Sequence, residues 1–366
     1  MSRAEIAHGA LPVLRTQLLE WYAASRRDLP WRQSRNPYAI WVSEIMLQQT
    51  RVAVVIDRYR VFLERFPTLQ ALAEAPEQEV LALWSGLGYY RRARMLHKAA
   101  QFVAEHGGGE LPTTAEELRT LPGIGAYTAA AIASIVHNER VAVVDGNVER
   151  VLCRLQGWPA PRRSGGTTLR RKVEALAMVL VDPVRPGDFN QAMMELGATV
   201  CLPRNPQCML CPLAAMCDTR GEHPTAPRPR MLSEEVGRCL SVRLRPNSKV
   251  ATREVLLEQR PATESVMPGM WELPLLHDAD VPEQDLCMTV RHAIMQVNYY
   301  VRVRTVPERK VNSLTVPNGE RRWVALGEAG SMALTGLARK ILQRAHLVTT
   351  QSRQARSIGT DLKVSN

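Results

Sequence analysis

Four closely spaced cysteines constrain the fold of this chain more than any other feature. Cys201, Cys208, Cys211 and Cys217 follow the spacing C-x6-C-x2-C-x5-C within 17 residues. Such thiolates can surround one 4Fe–4S cubane, because each of its irons takes one cysteine sulfur. Zinc also binds four cysteines, but usually as two separate C-x2-C pairs, and ordinary buried cysteines seldom lie so close together. The spacing favours a 4Fe–4S cluster, whose saturated ligation indicates a structural role.

The residues around this motif fit the same interpretation. Arg204, between the first two ligands, is suited to a phosphate contact. The other three cysteines, Cys153, Cys239 and Cys287, are expected to pack in the interior. Clustered cysteines in a chain without a signal-peptide pattern indicate metal binding rather than disulfides.

Charge and composition narrow the class of partner. The net charge is +11 and the sequence pI is about 9.6, which favours a polyanion. No apolar window of about 18 residues predicts a membrane span. The first residues lack a charged-then-apolar leader, so we expect a cytoplasmic protein, bacterial and nucleoid-associated, without a membrane partner.

The residue pattern divides the 366 residues into two domains. Residues 1–221 show helical periodicity punctuated by Gly and Pro. Residues 222–238, with three prolines among charged residues, predict a linker. Residues 239–346 alternate like short strands and close with one helix, and the polar residues 347–366 predict a disordered tail. The predicted fold is an all-α domain followed by a smaller α+β domain.

A glycine-containing turn separates two helical stretches at Leu121–Thr128. Gly123 and Gly125 allow a tight turn, after which the backbone N–H groups opening the next helix can face a phosphate. Backbone amides read no base sequence, so this element would position DNA rather than specify it. Many helix-turn-helix units contain a lone G-x-G, which therefore identifies no function alone.

Two carboxylates stand in contrasting sequence contexts. Asp145 follows an apolar run and precedes Gly146, which predicts a turn or helix N-cap residue; a carboxylate near a helix N-terminus is also held ionised, so the cap and a catalytic role are compatible. Glu44 lies among bulky apolar residues of a helix that Pro37 opens, and is either a surface ion-pair partner or an acid of raised pKa. One protonated and one ionised carboxyl are what cleavage of an N-glycosidic bond requires.

Together these features resemble the helix-hairpin-helix (endonuclease III-like) DNA glycosylase superfamily, and within it the MutY branch. The resemblance covers nearly all of residues 20–217, in family order. It rests on the four cysteines and on the segments Leu29–Arg32, Trp41–Thr50, Gly86–Tyr90, Leu121–Thr128, Val144–Val148 and Phe189–Met193. It implies a helix-hairpin-helix glycosylase domain with a 4Fe–4S cluster, acting in base excision repair.

The resemblance also implies roles for single residues. Glu44 would protonate N7 of a flipped adenine and later handle the water, and Asp145 would stabilise the sugar cation. Base flipping costs a few kcal/mol of unstacking. Asn147 would have a catalytic role, and Arg32 and Gln191 would contact the edges of the adenine. Gln49, Leu87 and Tyr89 would probe the gap that the flipped base leaves. Gln48, Gly123 and Gly125 would bind the substrate.

Tyr127 sets the expected reaction type. Bifunctional relatives carry at this position a lysine that forms a Schiff base. None of the six lysines lies between Leu121 and Arg150. The resemblance therefore implies a monofunctional enzyme that removes the base without cutting the strand.

The C-terminal half also resembles its MutY counterpart. Pro268–Pro274 is similar to a stretch of the MutT-like (Nudix-like) domain of that family, but the G-x5-E-x7-R-E-x2-E-E pattern of nucleotide pyrophosphatases is missing. MutY proteins usually read 8-oxoguanine with Phe-Ser-His, where this chain has Ile294-Met295-Gln296. Either lesion preference is lost, or another residue reads the lesion.

The expected function is hydrolysis of adenine from double-stranded DNA carrying A:8-oxoG or A:G mispairs, by a monomer. A related mismatch glycosylase acting on thymine is the first alternative. An endonuclease III-like glycosylase/lyase is disfavoured by Tyr127 and by the C-terminal domain. A non-enzymatic iron–sulfur DNA-binding or redox module would not need both Glu44 and Asp145.

Overall fold

The computed structural model describes residues 10–160, 167–223, 230–245 and 251–349. These residues fall into two compact units. The first comprises the described parts of Met1–Val52, Phe66–Ala73 and Met95–Pro227. The second comprises the described parts of Ala53–Arg65, Glu74–Arg94 and Arg228–Asn366.

The N-terminal part of the chain is helical, as predicted. Its helices are α1 (Leu11–Ser25), α2 (Pro37–Leu47), α3 (Val52–Arg65), α4 (Leu69–Glu74), α5 (Glu77–Leu83), α6 (Arg91–His106), α7 (Ala115–Leu118), α8 (Ala126–His137), α9 (Gly146–Leu155), α10 (Thr167–Leu180) and α11 (Pro186–Thr199). Short 3-10 turns occur at Pro30–Arg32, Cys208–Leu210 and Ala214–Met216.

Helix α11 organises the core of the first unit. It packs against α1, α8 and α9, and α2 packs against α8. Fully buried side chains such as Leu18, Leu152 and Leu196 join α1, α9 and α11 in one cluster. This packing brings α2, the start of α8, the start of α9 and α11 together, and these four elements carry most of the predicted site residues.

The second unit contains two sheets and a C-terminal helix. Its strands are β1 (Leu232–Leu240), β2 (Val242–Leu244), β3 (Arg253–Gln259), β4 (Trp271–Glu272), β5 (Leu275–Leu276), β6 (Leu286–Ile294), β7 (Val297–Thr305), β8 (Thr315–Val316) and β9 (Arg321–Ala325). One sheet has the order β6-β7-β1-β5-β8, with β1 parallel to β7, and the other joins β2, β3, β4 and β9. After α12 (Val311–Leu314) and α13 (Leu326–Ala329), α14 (Gly336–Arg344) packs its buried face on this core.

The structure moves two predicted boundaries. The predicted linker 222–238 is shortened, because Leu232–Leu240 pairs with β7 as a strand whose polar first half is exposed and thus resembles a linker in sequence. Residues 224–229 and 350–366, within the predicted linker and tail, lie outside the described residues. Val348, assigned to the tail, is buried against the core.

A third difference concerns which residues belong to which domain. Residues 53–65 and 74–94 were predicted to lie in the helical domain, but their contacts group them with the sheet-containing unit. The reason is visible in single bonds: Arg94 donates to the carbonyl of Pro268, and Gln78 to that of Gly269. Partners so far apart along the chain cannot be inferred from local patterning.

One cysteine departs from its predicted environment. Cys153 and Cys239 are buried as expected, but Cys287 is exposed. Exposure alternates along β6, and Cys287 lies on the exposed face with Thr289 and Arg291.

No helix among the described residues combines the length and apolar character needed to cross a membrane.

Candidate active site

Ten of the twelve predicted catalytic and substrate-binding residues line one cavity of about 740 Å³ in the first unit. They are Arg32, Glu44, Gln48, Gln49, Gly123, Gly125, Tyr127, Asp145, Asn147 and Gln191. The other two, Leu87 and Tyr89, belong to the second unit and do not line this cavity.

Glu44 is buried in the middle of α2. The helix begins at Pro37, with the side chain of Asn36 accepting from the Ala39 amide, and every residue from Tyr38 to Met46 is buried. Burial raises the pKa of Glu44 to about 7, the Tyr127 hydroxyl and Arg32 oppose this rise, and Asp145 adds to it. The surface ion-pair interpretation is therefore wrong, and Glu44 can hold a proton near neutral pH.

Tyr127 is the direct partner of Glu44. It lies in the first turn of α8, and its hydroxyl donates to Glu44 Oε2 over 2.9 Å. Burial raises the pKa of Tyr127 well above 10, so the phenol remains a donor. The Met194 sulfur lies 3.3 Å from the Tyr127 hydroxyl oxygen. The single hydroxyl proton bonds more strongly to the carboxyl oxygen of Glu44, because a thioether sulfur is a weak acceptor.

Asp145 is the N-cap of α9 and faces the same cavity as Glu44. Its Oδ1 accepts from the amides of Asn147 (2.9 Å) and Val148 (2.7 Å), and its Oδ2 accepts from the Asn147 side-chain amide (3.0 Å). These three donors hold the Asp145 side chain in one orientation. The cap and the catalytic interpretation are thus compatible in one geometry.

The segment that leads to Asp145 is held by Asn190. This buried amide accepts from the Val143 backbone N–H (3.1 Å) and donates to the Val141 carbonyl (2.8 Å). It also donates to Ser134 Oγ over 3.0 Å. Asn190 therefore takes the place of a neighbouring strand for a short extended segment that has no sheet partner.

Arg32 and Gln191, which line the same cavity, are each held by a hydrogen-bond partner. Glu195, buried on α11, accepts from Arg27 (2.7 and 2.8 Å) and from Arg32 (2.8 Å). Burial raises the pKa of Glu195, but its bonds to the two guanidinium groups dominate and lower it to about 2. Gln191 Oε1 accepts from the Tyr22 hydroxyl over 3.2 Å.

The predicted hairpin joins α7 to α8 through a left-handed residue. Gly123 has a φ of +77°, and a Cβ there would lie 2.5 Å from Met95 Cβ, so only glycine fits. Gly125 is the extended N-cap of α8, with open space around it and no side-chain cap. The first amides of α8 therefore point to where a phosphate could approach. Gln48 donates to Oγ1 of Thr128, which lies in α8, over 3.2 Å. Gln49 is exposed and has a φ of +55°.

The four predicted cluster ligands surround a second, smaller cavity. Buried Arg154 holds the ligand loop by donating to the carbonyls of Leu202 (2.6 Å) and Pro203 (3.0 Å), and it contacts Cys201 Sγ at 3.4 Å. Among the described residues, no three His, Cys, Asp or Glu side chains converge on a single point as one metal ion requires. Cysteines spread around a cavity instead fit a multi-iron cluster.

Arg150 connects the cysteine loop to the active-site cap. Its Nε donates to the Cys201 carbonyl (2.9 Å), and its NH2 donates to Asn147 Oδ1 (2.9 Å) and to the Gly197 carbonyl (2.6 Å). Because Asn147 in turn donates to Asp145, the position of the cap depends on the loop that carries the first cysteine.

Two predicted DNA-probing residues in the second unit have opposite exposures. Tyr89 is 53% exposed and has a left-handed φ of +48°, whereas Leu87 is buried. At the tip of the β6–β7 hairpin, Met295 is also left-handed and 74% exposed. The segment around Trp271 is largely core, since Met270 and Trp271 are buried.

Comparison with known proteins gives matches to two family models and to several similar proteins. Residues 42–176 match the HhH-GPD superfamily of base excision DNA repair proteins, and residues 201–217 match the iron–sulfur binding domain of endonuclease III. The chain is 52% identical over 215 residues to the Homo sapiens protein named adenine DNA glycosylase, and 45% identical over 230 residues to the Arabidopsis thaliana protein of that name. The resemblance predicted from the sequence is confirmed, and so is the iron–sulfur cofactor.

The extent of these matches is partial. They cover 56% of this chain, 39% of the human protein and 36% of the Arabidopsis protein, so the chain spans well under two thirds of these relatives. A solved thermostable thymine-DNA glycosylase is 28% identical with a TM-score of 0.54, covering 59% of this chain and 99% of that chain. A trapped endonuclease III–DNA intermediate shares the fold. It is 24% identical with a TM-score of 0.50, and the match covers 59% of this chain and 98% of that chain.

Sequence reasoning missed three structural partners of the site: Glu195, Asn190 and Arg150. Glu195 could have been found, because it follows Gln191 by one helical turn and therefore shares its face of α11. Asn190 lies in the segment Phe189–Met193, which carries the family resemblance, but the sequence analysis predicted no role for it. Arg150 lies one helical turn from its acceptor Asn147, but its other two acceptors, the Gly197 and Cys201 carbonyls, lie 47 and 51 residues away and leave no local signal.

Proposed function

We propose that this protein is a monofunctional adenine DNA glycosylase that flips a mispaired adenine out of double-stranded DNA and hydrolyses its N-glycosidic bond. One observation carries the proposal: a buried carboxyl of pKa about 7 and a triply hydrogen-bonded carboxylate face one cavity. In this proposal Glu44 supplies the proton that the departing base needs, and Asp145 supplies the negative charge that the sugar cation needs.

Glu44 is the general acid of this mechanism. An adenine anion is a poor leaving group, and protonation of N7 as the bond to the sugar lengthens makes its departure easier. The buried Glu44 carries the necessary proton near neutral pH, and Tyr127 fixes its Oε2. Once adenine has left, the Glu44 carboxylate can accept the proton of the attacking water.

Asp145 stabilises the positive charge that develops on the sugar. An oxocarbenium-like centre is favoured by a nearby fixed anion inside a cavity from which water is displaced. The Asp145 carboxylate is held by backbone and side-chain donors that need no reorganisation during the reaction. Tyr127 stands where lyases carry lysine, so no amine is placed to form a Schiff base and cut the strand.

Gln191 and Arg32, which line the same cavity as the two carboxyls, recognise the base. An amide pairs well with adenine, because it offers a donor and an acceptor to the adjacent acceptor and donor of the base edge. Gln191 is oriented by the Tyr22 hydroxyl, and Arg32 by Glu195. The ion pair keeps Arg32 in one geometry, so that its remaining N–H groups face the base.

DNA binding in this proposal combines charge with the helix-hairpin-helix element. The net charge of +11 attracts the duplex, and the amides after Gly125 bind one phosphate. Gln49 and the half-exposed Tyr89 enter the base stack, while Leu87 is buried. The C-terminal unit, as a MutT-like domain, reads the opposite base near the Ile294-Met295-Gln296 tip, and the enzyme acts as a monomer.

The pH dependence of base release follows from Glu44. The acid must be protonated, and its pKa is about 7. We expect the single-turnover rate to be high below pH 6 and to fall about tenfold for each pH unit above about 7. A rate independent of pH up to pH 9 would contradict the role of Glu44 as the acid.

Tyr127→Phe tests how the acid is tuned. The hydroxyl bond from Tyr127 lowers the pKa of Glu44, so its removal raises that pKa and moves the descending limb of the pH–rate profile to higher pH. Tyr38→Phe is the matched control. Tyr38 lies in α2, the helix of Glu44, and the substitution removes its buried hydroxyl bond to the Phe66 carbonyl without touching Glu44. An unmoved limb in Tyr127→Phe, or an equal shift in Tyr38→Phe, would count against this assignment.

A duplex panel tests the proposed function as a whole. Single-turnover reactions on adenine opposite 8-oxoguanine, guanine, cytosine and thymine, and on thymine opposite guanine, are followed with and without alkali. We expect strand breaks only after alkali, at adenine opposite 8-oxoguanine and guanine. Cleavage at thymine would favour the thymine-specific alternative, and breaks without alkali or a borohydride-trapped adduct at stoichiometric yield would favour a lyase.

A further inference from the structure

The loop that carries Tyr89 has a backbone that needs external support. Gly86, Gly88 and Tyr89 have φ values of +97°, +69° and +48°. A tyrosine in the left-handed region is sterically disfavoured, and it persists only where the surroundings determine its conformation. Tyr89 is also 53% exposed, so burial of its own side chain cannot supply this support.

Two side chains brace the loop from within. Trp84 Nε1 donates to the Gly88 carbonyl over 3.2 Å. The guanidinium of Arg92 donates to the carbonyls of Leu87 (3.0 Å) and Gly88 (3.1 Å), and lies 5.6 Å from the centroid of the Tyr89 ring. These contacts fix the tip relative to its own helix, but not the residues on either side of the loop.

Both sides of the loop are held by the C-terminal part of the same unit. On one side, Arg339 Nε in α14 donates to Ser85 Oγ over 2.5 Å. On the other, the Tyr90 hydroxyl donates to the Leu334 carbonyl over 3.3 Å. Ser85, Tyr90 and Arg339 are all buried. Residues 85 and 90 thus flank the exposed tyrosine and are both tied to the segment 334–339.

Arg339 is unusual for a buried cation because its three hydrogen bonds go to uncharged groups. Besides Ser85 it donates to the carbonyls of Gly330 (3.0 Å) and Met332 (3.1 Å). An apolar side chain would fill the same space without the cost of desolvating a charge. The planar guanidinium instead joins three points at fixed angles, which no apolar side chain can do.

We propose that Arg339 is a positioning residue, through which the C-terminal part of the chain holds the Tyr89 loop in the shape that enters DNA. The bracing follows from the contacts alone, and its use on DNA rests on the proposed function. The C-terminal part would then act on base flipping as well as on reading the opposite base.

The bracing is tested on the free protein by amide hydrogen exchange. Arg339→Met removes the brace, and Ser85→Ala removes its acceptor on the loop, which keeps the test valid if the first variant folds poorly. Arg344→Met, on the same helix but exposed and bonded to Thr289, is the matched control. In both test variants we expect amides of residues 86–92 to exchange at least about tenfold faster, with those of α9 unchanged. Unchanged exchange in both would overturn the proposal.

The consequence on DNA is tested by a double-mutant cycle on base release. We expect Tyr89→Ala and Arg339→Met each to slow release from duplex by about tenfold, the effect of losing one base–aromatic stacking contact. The double variant should lose no more than the more impaired single variant, because both changes disable one element. Losses that multiply would overturn the role on DNA. If the unaltered protein releases no base, the proposed function fails, while hydrogen exchange still decides the bracing.

Discussion

Glu44→Gln is expected to reduce single-turnover release of adenine by about 10²–10⁴-fold, the range that a positioned general acid contributes. Glutamine keeps the volume of the side chain and an oxygen that can accept from Tyr127, but it cannot deliver a proton to N7. Loss of the acid should leave the residual rate nearly independent of pH between 6 and 8, where the unaltered enzyme titrates.

The same variant should be more stable than the unaltered protein at alkaline pH. The pKa of Glu44 rises from 4.5 to about 7 on folding, so the folded state bears a penalty for ionising it. That penalty is absent below about pH 4.5 and complete above about pH 7. It amounts to about 3 kcal/mol at most, at 1.36 kcal/mol per pH unit. Chemical unfolding at pH 8 and pH 5 should show a gain for Glu44→Gln that shrinks as the pH falls.

These two measurements together separate chemistry from folding. An inactive variant that is also more stable above pH 7 has lost only its acid. A fully active Glu44→Gln would contradict the mechanism, and an inactive variant that is also unfolded would contradict the burial argument.

Asp145→Asn should reduce base release by about 10²–10³-fold, the effect of removing one preorganised electrostatic group from a transition state. Asparagine is as good an N-cap as aspartate, so the start of α9 keeps its amide bonds. The substitution therefore removes the negative charge from the cavity while leaving the helix in place. Binding of the same duplex, measured with an uncleavable adenine analogue, should change much less than the rate.

Asp182→Asn is the matched control for this substitution. Asp182 Oδ1 accepts from the amides of Val184 (2.9 Å) and Arg185 (2.7 Å), the pattern that Asp145 shows, but it does not line the cavity. Equal thermal stability of the two variants with a large difference in activity is the expected result. Equal activity would mean that Asp145 is only a cap.

Much of the site could be predicted because its signals are local. The apolar surroundings of Glu44 predicted its burial, the Asp145-Gly146 step predicted a helix start, and the cysteine spacing predicted a cluster. Each of these inferences depends on neighbours within a few residues, where residue type and structure are closely coupled. The structure confirms both helix positions and brings the two carboxyls to one cavity.

The parts that could not be predicted depend on distant partners. Glu195 binds Arg32 across 163 residues, and Arg339 binds Ser85 across 254. The first half of β1 is polar and exposed, and its strand conformation depends on pairing with β7, which lies 65 residues along the chain. No local pattern contains such pairings, since the energy that selects them comes from the assembled core.

The most direct test of the central claim is the identity of the base that is released. A duplex with one adenine opposite 8-oxoguanine and a second with one thymine opposite guanine are each incubated with excess enzyme, and the free bases are measured by mass spectrometry. The account predicts up to one equivalent of free adenine from the first duplex and no free thymine from the second. With the Asp145→Asn variant it predicts no free adenine from the first duplex on the same timescale. Free thymine from the second duplex, or no adenine from the first with the iron–sulfur absorbance intact, would contradict it.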